Sequence, residues 1–131
     1  MHKLSGGCSC GAVKFHVTGA PRSIVNCHCH MCRKMNGAAF STYVAVADDE
    51  FEVLSGELKT HHVSENAKKH FCSACGTPIY NSSLKYAGLT ILHLGSLDTK
   101  LKNQPQANIY CESRLDWLDA MPEMASLDRG F

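Results

Sequence analysis

Eight cysteines in a chain of 131 residues, gathered in four groups, constrain this sequence more than any other feature. Cys8 and Cys10 lie in "GGCSCG", Cys27, Cys29 and Cys32 in "NCHCHMC", Cys72 and Cys75 in "FCSACG", and Cys111 stands alone in "IYCES". The opening "MHKLSGGCSCG" lacks the roughly 7–15 apolar residues of a secretory signal, and no later stretch approaches the roughly 18 of a membrane span. A soluble, cytoplasmic protein is expected, with neither a membrane nor a nucleic acid as partner. Thiols in that compartment are held reduced, so the cysteines are read as metal ligands rather than a disulfide framework.

The length suits one domain, expected to span residues 1–131 and to bind zinc. Charged residues make up 19% of the chain and the formal net charge is +1, too little to favour a phosphate backbone or an anionic bilayer. If seven thiolates held two Zn²⁺ ions, the formal charge would move to about −2. The sequence sets no oligomeric state.

Ligand counting narrows the metal sites without closing them. The Cys72-Ser-Ala-Cys75-Gly knuckle is a strong zinc signal, because a tight turn there aims backbone amides at a thiolate. Neither that pair nor Cys8 with Cys10 completes a tetrahedral site alone. Joining the two gives a closed Cys₄ site, which is structural because zinc then has no room for substrate. Cys27, Cys29 and Cys32 remain, three thiolates with a fourth position unfilled, as in many catalytic zinc sites. Two alternatives stay open. Cys111, His28 or His30 would turn the triplet into a second staple. Cys29 and Cys32 would pair with Cys72 and Cys75 as a ribbon, although the ~39 intervening residues exceed the usual ~15–20.

The expected fold is all-β or β-dominated, with zinc-knuckle hairpins and few short helical turns. Val13, Phe15 and Val17 alternate with Lys14, His16 and Thr18 over residues 12–19, the period of a half-buried strand. Residues 23–27 and 39–47 read as strands, 31–37 as a helical turn stopped by Gly37, and 48–56 as a turn or short helix capped by Asp48. Residues 57–64 and 68–71 suggest a strand pair, 76–82 a further strand, and the apolar 88–97 a central strand. A last strand is expected over 106–113, with Cys111 buried in it. An amphipathic turn over 114–122 follows, packed through Trp117.

Chemistry limits what an open triplet site does. Three thiolates weaken the Lewis acidity of zinc, so the site suits holding another thiolate better than activating water. A free thiol with pKa near ~8.5 is mostly protonated at neutral pH and is deprotonated on binding zinc. A small thiol is the expected substrate, with its sulfur as nucleophile.

Taken in order, "GGCSCGAVKF", "CHCHMCRKMNGAAF", "HFCSACGTPIY" and "IYCESRLDWL" resemble the glutathione-dependent formaldehyde-activating enzyme family, which includes centromere protein V. The resemblance covers nearly the whole chain. It implies a β-tent of antiparallel sheets, a fold shared with a Rab-associated zinc protein and with methionine-R-sulfoxide reductases. It also implies structural zinc on Cys8, Cys10, Cys72 and Cys75 and catalytic zinc on Cys27, Cys29 and Cys32. The implied activity is that of a carbon–sulfur lyase, with glutathione adding reversibly to formaldehyde to give S-hydroxymethylglutathione. Cys111 departs from the family pattern and inherits no role.

Around the triplet, Arg33 and Lys34 are placed to attract a glutathione carboxylate, although basic residues on a turn are more often simply solvated. His28 and His30 alternate with the cysteines and, in an extended segment, face away from a metal. His93 is expected as a satisfied core histidine. The competing function class is a non-catalytic zinc-stapled module that binds a protein partner or glutathione.

Overall fold

A computed structural model describes residues 4–130. Residues 1–3 and 131 of the expected single domain lie outside the described residues. Among the described residues, ten strands fall into two sheets. The smaller contains β1 (Leu4–Gly7), β2 (Lys14–Val17) and β5 (Phe51–Ser55), with β2 in the middle and both pairings antiparallel. The larger runs β10 (Ala107–Ile109), β3 (Ser23–Cys27), β4 (Ser41–Ala47), β9 (Leu89–His93), β8 (Pro78–Ser83), β7 (Ala67–Cys72) and β6 (Leu58–His62). Its pairings are antiparallel except β10 with β3, which is parallel. The chain is therefore β-dominated as expected, and the apolar segment after Gly88 forms β9, the fourth of the seven strands.

The period-two pattern explains how the sheets pack. Val13, Phe15 and Val17 turn inward from the β2 segment, while Ile24, Val44, Val46 and Leu92 turn inward from the larger sheet, and all belong to one buried cluster. Phe51 continues the contact, its ring 5.5 Å from Phe15 and 5.0 Å from Tyr80. Since successive side chains alternate, Val25, Cys27, Tyr43, Ala45 and Ile91 project from the opposite face of the larger sheet. That second face carries the site described below.

Four expectations need correction. Asp48–Glu50 do form a 3-10 turn, but Phe51–Ser55 is a strand paired with β2. Phe51 and Val53 are its half-buried positions, a period of two that the acidic start obscured. The expected strand over 106–113 ends at Ile109, because Tyr110 takes a left-handed backbone (φ 55°, ψ 44°) and a 3-10 turn follows over Cys111–Ser113. Cys111 is accordingly exposed rather than buried. In the 3-10 stretch Asp116–Glu123, Trp117 is 47% exposed, and Leu118, 8% exposed, packs in its place. β1 had no sequence expectation at all.

Candidate functional site

Two clusters of sulfur atoms appear among the described residues. Cys8, Cys10, Cys72 and Cys75 form one, and Cys27, Cys29 and Cys32 the other, with the sulfur atoms of each group within 4.8 Å of one another. A tetrahedral zinc with Zn–S bonds of about 2.3 Å sets its sulfurs about 3.8 Å apart, whereas a disulfide needs about 2.05 Å. Observed Sγ–Sγ separations are 3.5 Å for Cys8–Cys10, 3.9 Å for Cys10–Cys72 and 3.6 Å for Cys27–Cys32. All eight cysteines are free thiols. The donor sets and spacings fit zinc, and they assign the two ends of Cys-x-x-Cys ribbon pairing to different clusters.

The four-cysteine cluster is built from turns of both sheets. Cys8 and Cys10 sit between β1 and β2, and Cys72 and Cys75 sit at the β7–β8 turn. Backbone amides serve the sulfurs, Val13 donating to Cys8 at 3.2 Å and Ala74 to Cys72 at 3.4 Å. The Thr77 hydroxyl lies 3.1 Å from Cys75, and with the Thr77 amide it pulls that thiol down to about 5. The Val13 amide likewise lowers Cys8. Despite the Ala12 amide, the crowded Cys8 and Cys75 sulfurs push Cys10 up to about 11. The lowered Cys75 and Cys8 thiols lie against the other two sulfurs, an arrangement that a bound cation would stabilise.

The three-cysteine cluster joins a strand end to a short helix. Cys27 closes β3, and Cys29 caps α1 (His30–Asn36), its sulfur accepting the Cys32 amide at 3.1 Å. Gly37 stops that helix in the left-handed region at φ 60°. Burial pushes the Cys27 and Cys32 thiols up. Burial also acts upward on Cys29, but hydrogen bonds from Cys32, Cys27 and the Met31 amide outweigh it, and the net shift is downward. Ionising all three side by side, with Cys27 and Cys32 buried and Cys29 half-buried, would need a compensating cation. The Tyr43 hydroxyl donates to Cys32 Sγ at 3.1 Å, and burial holds the phenol well above its ordinary range, so Tyr43 keeps its proton.

None of the alternative fourth ligands belongs to this cluster. Cys111 is exposed, and its thiol donates to the Asn108 carbonyl at 3.4 Å. His28 is 2% exposed, with Nε2 3.1 Å from Asn108 Oδ1 and its ring 5.1 Å from that of Phe40. His30 is exposed, its Nδ1 3.2 Å from an Arg33 guanidinium nitrogen. His93 is a core histidine as expected. Its Nε2 meets Asn81 Oδ1 at 2.9 Å, its ring packs edge-on to Tyr43 at 5.2 Å, and burial lowers it to about 4.

A cavity of about 560 Å³ opens beside the cluster, and Cys27, Cys29 and Cys32 are part of its wall. Val25, Ala45, Leu89, Ile91 and Ile109 supply much of the rest, with Tyr43 and Asn81. Strand patterning marks the apolar wall residues but not their common face, and nothing in it singles out Tyr43 or Asn81. The signal for Tyr43 was its register opposite Val25, two positions from Cys27 on the same face.

Comparison with known proteins agrees with the sequence motifs. The model of the family described as glutathione-dependent formaldehyde-activating enzyme matches residues 3–113. Curated relatives from Halomonas elongata and Fusarium vanettenii both carry the name "Putative glutathione-dependent formaldehyde-activating enzyme". The first is 26% identical over 137 aligned positions, covering 98% of this chain and 86% of the relative. The second is 30% identical over 123, covering 86% of this chain and 66% of the relative. A crystal structure of a Rhodobacter sphaeroides protein shares the fold, with a TM-score of 0.63 at 18% identity, covering 79% of this chain and 98% of that one. With a family match extending over residues 3–113, the chain belongs to the glutathione-dependent formaldehyde-activating enzyme family.

Proposed function

We propose that this protein is a zinc-dependent carbon–sulfur lyase that reversibly adds glutathione, or another small thiol, to formaldehyde or a related carbonyl. In this reading residues 1–131 act as one cytoplasmic domain. Cys8, Cys10, Cys72 and Cys75 hold a structural zinc, and Cys27, Cys29 and Cys32 hold a catalytic one. The observation that carries the reading is a three-thiol cluster that forms part of a cavity wall and includes no fourth His, Cys, Asp or Glu donor among the described residues. Zinc held by three thiolates would supply one exchangeable position, suited to keeping a thiol deprotonated at neutral pH.

The chain's own residues do the rest. Cys29 caps α1 and, with Cys32 held by Tyr43, keeps the donor set in fixed geometry. The Tyr43 hydroxyl retains its proton and spreads charge away from Cys32, which leaves the cluster less anionic toward an incoming thiolate. The apolar wall beside the cluster limits water around the reacting sulfur and carbonyl. Addition of a thiol to an aldehyde needs mainly positioning and proton delivery, so holding the two reactants together is the main catalytic contribution.

The test combines zinc content with exchange kinetics. Wild-type protein should hold two zinc ions per chain and accelerate hemithioacetal exchange in NMR relative to an enzyme-free control. Cys29→Ser should hold one ion and lose the acceleration. Unaltered exchange in that variant would remove the three-cysteine cluster from the mechanism.

A further inference from the structure

We infer that the carbonyl partner is larger than formaldehyde: an aldehyde with an apolar aliphatic or aromatic substituent, which occupies the cavity beside Cys27, Cys29 and Cys32. The inference rests on the proposed thiol addition and names its substrate class.

Size is the first argument. About 560 Å³ falls within the ~300–1,000 Å³ of small-ligand sites and far exceeds what a one-carbon aldehyde fills. The cavity wall takes in Cys27 at one end of β3 and Ser23 at the other. Four residues of strand span about 13 Å, so the wall continues well past the reacting atoms.

The chemistry of the wall is the second. Among the described residues, it contains no Asp, Glu, Lys, Arg or His side chain. Val25, Ala45, Leu89, Ile91 and Ile109 make it mainly apolar, with the uncharged hydroxyls of Ser23, Tyr43, Tyr86 and Tyr110, and the polar side chains of β8 are already engaged: Asn81 with His93 at 2.9 Å, Ser82 with His70 at 2.9 Å and Ser83 with the Lys85 amide at 3.2 Å. Glutathione carries two carboxylates and an ammonium, which would meet no ionic partner there. The cations Lys69, Arg33 and Lys34 do not line the wall. Lys69 Nζ donates to the Met35 carbonyl at 2.7 Å, and an Arg33 guanidinium nitrogen lies 3.2 Å from His30 Nδ1. A charged tripeptide thus leaves the cavity unfilled, and so does formaldehyde.

An apolar substituent on the aldehyde satisfies both constraints. The thiol sulfur forms the new S–C bond, the carbonyl π pair moves to oxygen, and the proton released by the thiol ends on that oxygen as the hemithioacetal hydroxyl. No electrons are gained or lost. The substituent lies along the strands, against Ile91 and Ala45.

The experiment uses the zinc-loaded full chain with glutathione and a series running from formaldehyde and acetaldehyde to hexanal and phenylacetaldehyde, each corrected for its enzyme-free rate. Burial of one methylene corresponds to roughly a fourfold gain, so kcat/KM should rise at least tenfold from acetaldehyde to hexanal, chiefly through KM. Ala45→Phe, which fills the cavity, should reduce that rise to less than threefold. Methyl NMR supplies a readout that does not depend on turnover. Ile91 and Ile109 signals should shift saturably with 1-hexanol in the wild type and not in Ala45→Phe.

If Ala45→Phe does not fold, the wild-type series and titration decide alone. Turnover that does not rise along the series, with no methyl shifts, overturns the inference and leaves the thiol-addition reading standing. Saturable shifts without turnover of any aldehyde overturn that reading while keeping an apolar occupant. A gain seen only when glutathione is replaced by benzyl mercaptan moves the apolar group to the thiol and also overturns the inference.

Discussion

Tyr43 and His93 show how single side chains condition the three-cysteine cluster. Tyr43 donates to Cys32 Sγ at 3.1 Å from a buried position, and partners that orient metal ligands are typically worth ~10–100-fold in metal affinity. Tyr43→Phe should therefore weaken zinc at the three-cysteine cluster about tenfold in chelator competition while the four-cysteine site is unchanged. His93 adds a pH dependence. Burial, followed by the charge of Lys69, lowers it from an ordinary 6.5 to about 4, so between those values the unfolded chain binds a proton that the folded chain excludes. The corresponding stability is complete above pH 6.5 and is lost as pH falls toward 4, with a ceiling of about 3 kcal/mol. Urea unfolding of wild type and His93→Gln at matched pH isolates this contribution from thiolate protonation. The difference between the two should shrink steadily from pH 6.5 to pH 4.5, and a constant difference would mean that His93 titrates normally.

At the scale of elements, turns set the cysteines as firmly as strands do. Gly56 joins β5 to β6 at φ 91°, and a Cβ there would come within 2.5 Å of the Ala12 carbonyl oxygen and 2.6 Å of Val13 Cα. These are the residues that lead from the Cys8–Cys10 turn into β2. Gly56→Ala should cost at least ~2 kcal/mol, whereas Gly88→Ala, at φ 87° with nothing within 4 Å, should cost only ~1 kcal/mol for backbone strain. Equilibrium urea unfolding separates the two. The same contrast marks what could be read from the sequence. β2, β3, β4 and β9 were legible because alternation or continuous apolar residues identify them locally. β5 was not, since Asp48, Asp49 and Glu50 resemble a helix start just before the Phe51, Val53 alternation. The end of β10 depends on the left-handed Tyr110, a conformation that its side chain does not announce. Cysteine spacing made both clusters visible, but the cavity is formed by one face of several separate strands, and its existence follows only from their register.

For the whole molecule, the two clusters differ in what they connect. Cys8 and Cys10 belong to the turn between β1 and β2, while Cys72 and Cys75 belong to the turn between β7 and β8, so that cluster ties the small sheet to the large one. Cys27, Cys29 and Cys32 lie within six residues of sequence at the end of one strand, and closing so short a loop constrains the unfolded chain little. A structural zinc at the first cluster, as proposed above, would supply folding free energy outright, so losing a ligand should matter far more there than at the second. Cys72→Ser should lose cooperative thermal unfolding or fall by more than ~15 °C in Tm, since losing even half of the ~10 kcal/mol of a structural zinc at ~3–4 °C per kcal/mol reaches that shift. Cys29→Ser should remain folded with a Tm within ~8 °C of wild type, although it binds one zinc fewer. Circular dichroism melts paired with zinc analysis on the same samples give both quantities. Equal loss of stability in the two variants would mean that the three-cysteine cluster also braces the fold, and that its geometry is maintained for packing as much as for an exchangeable position.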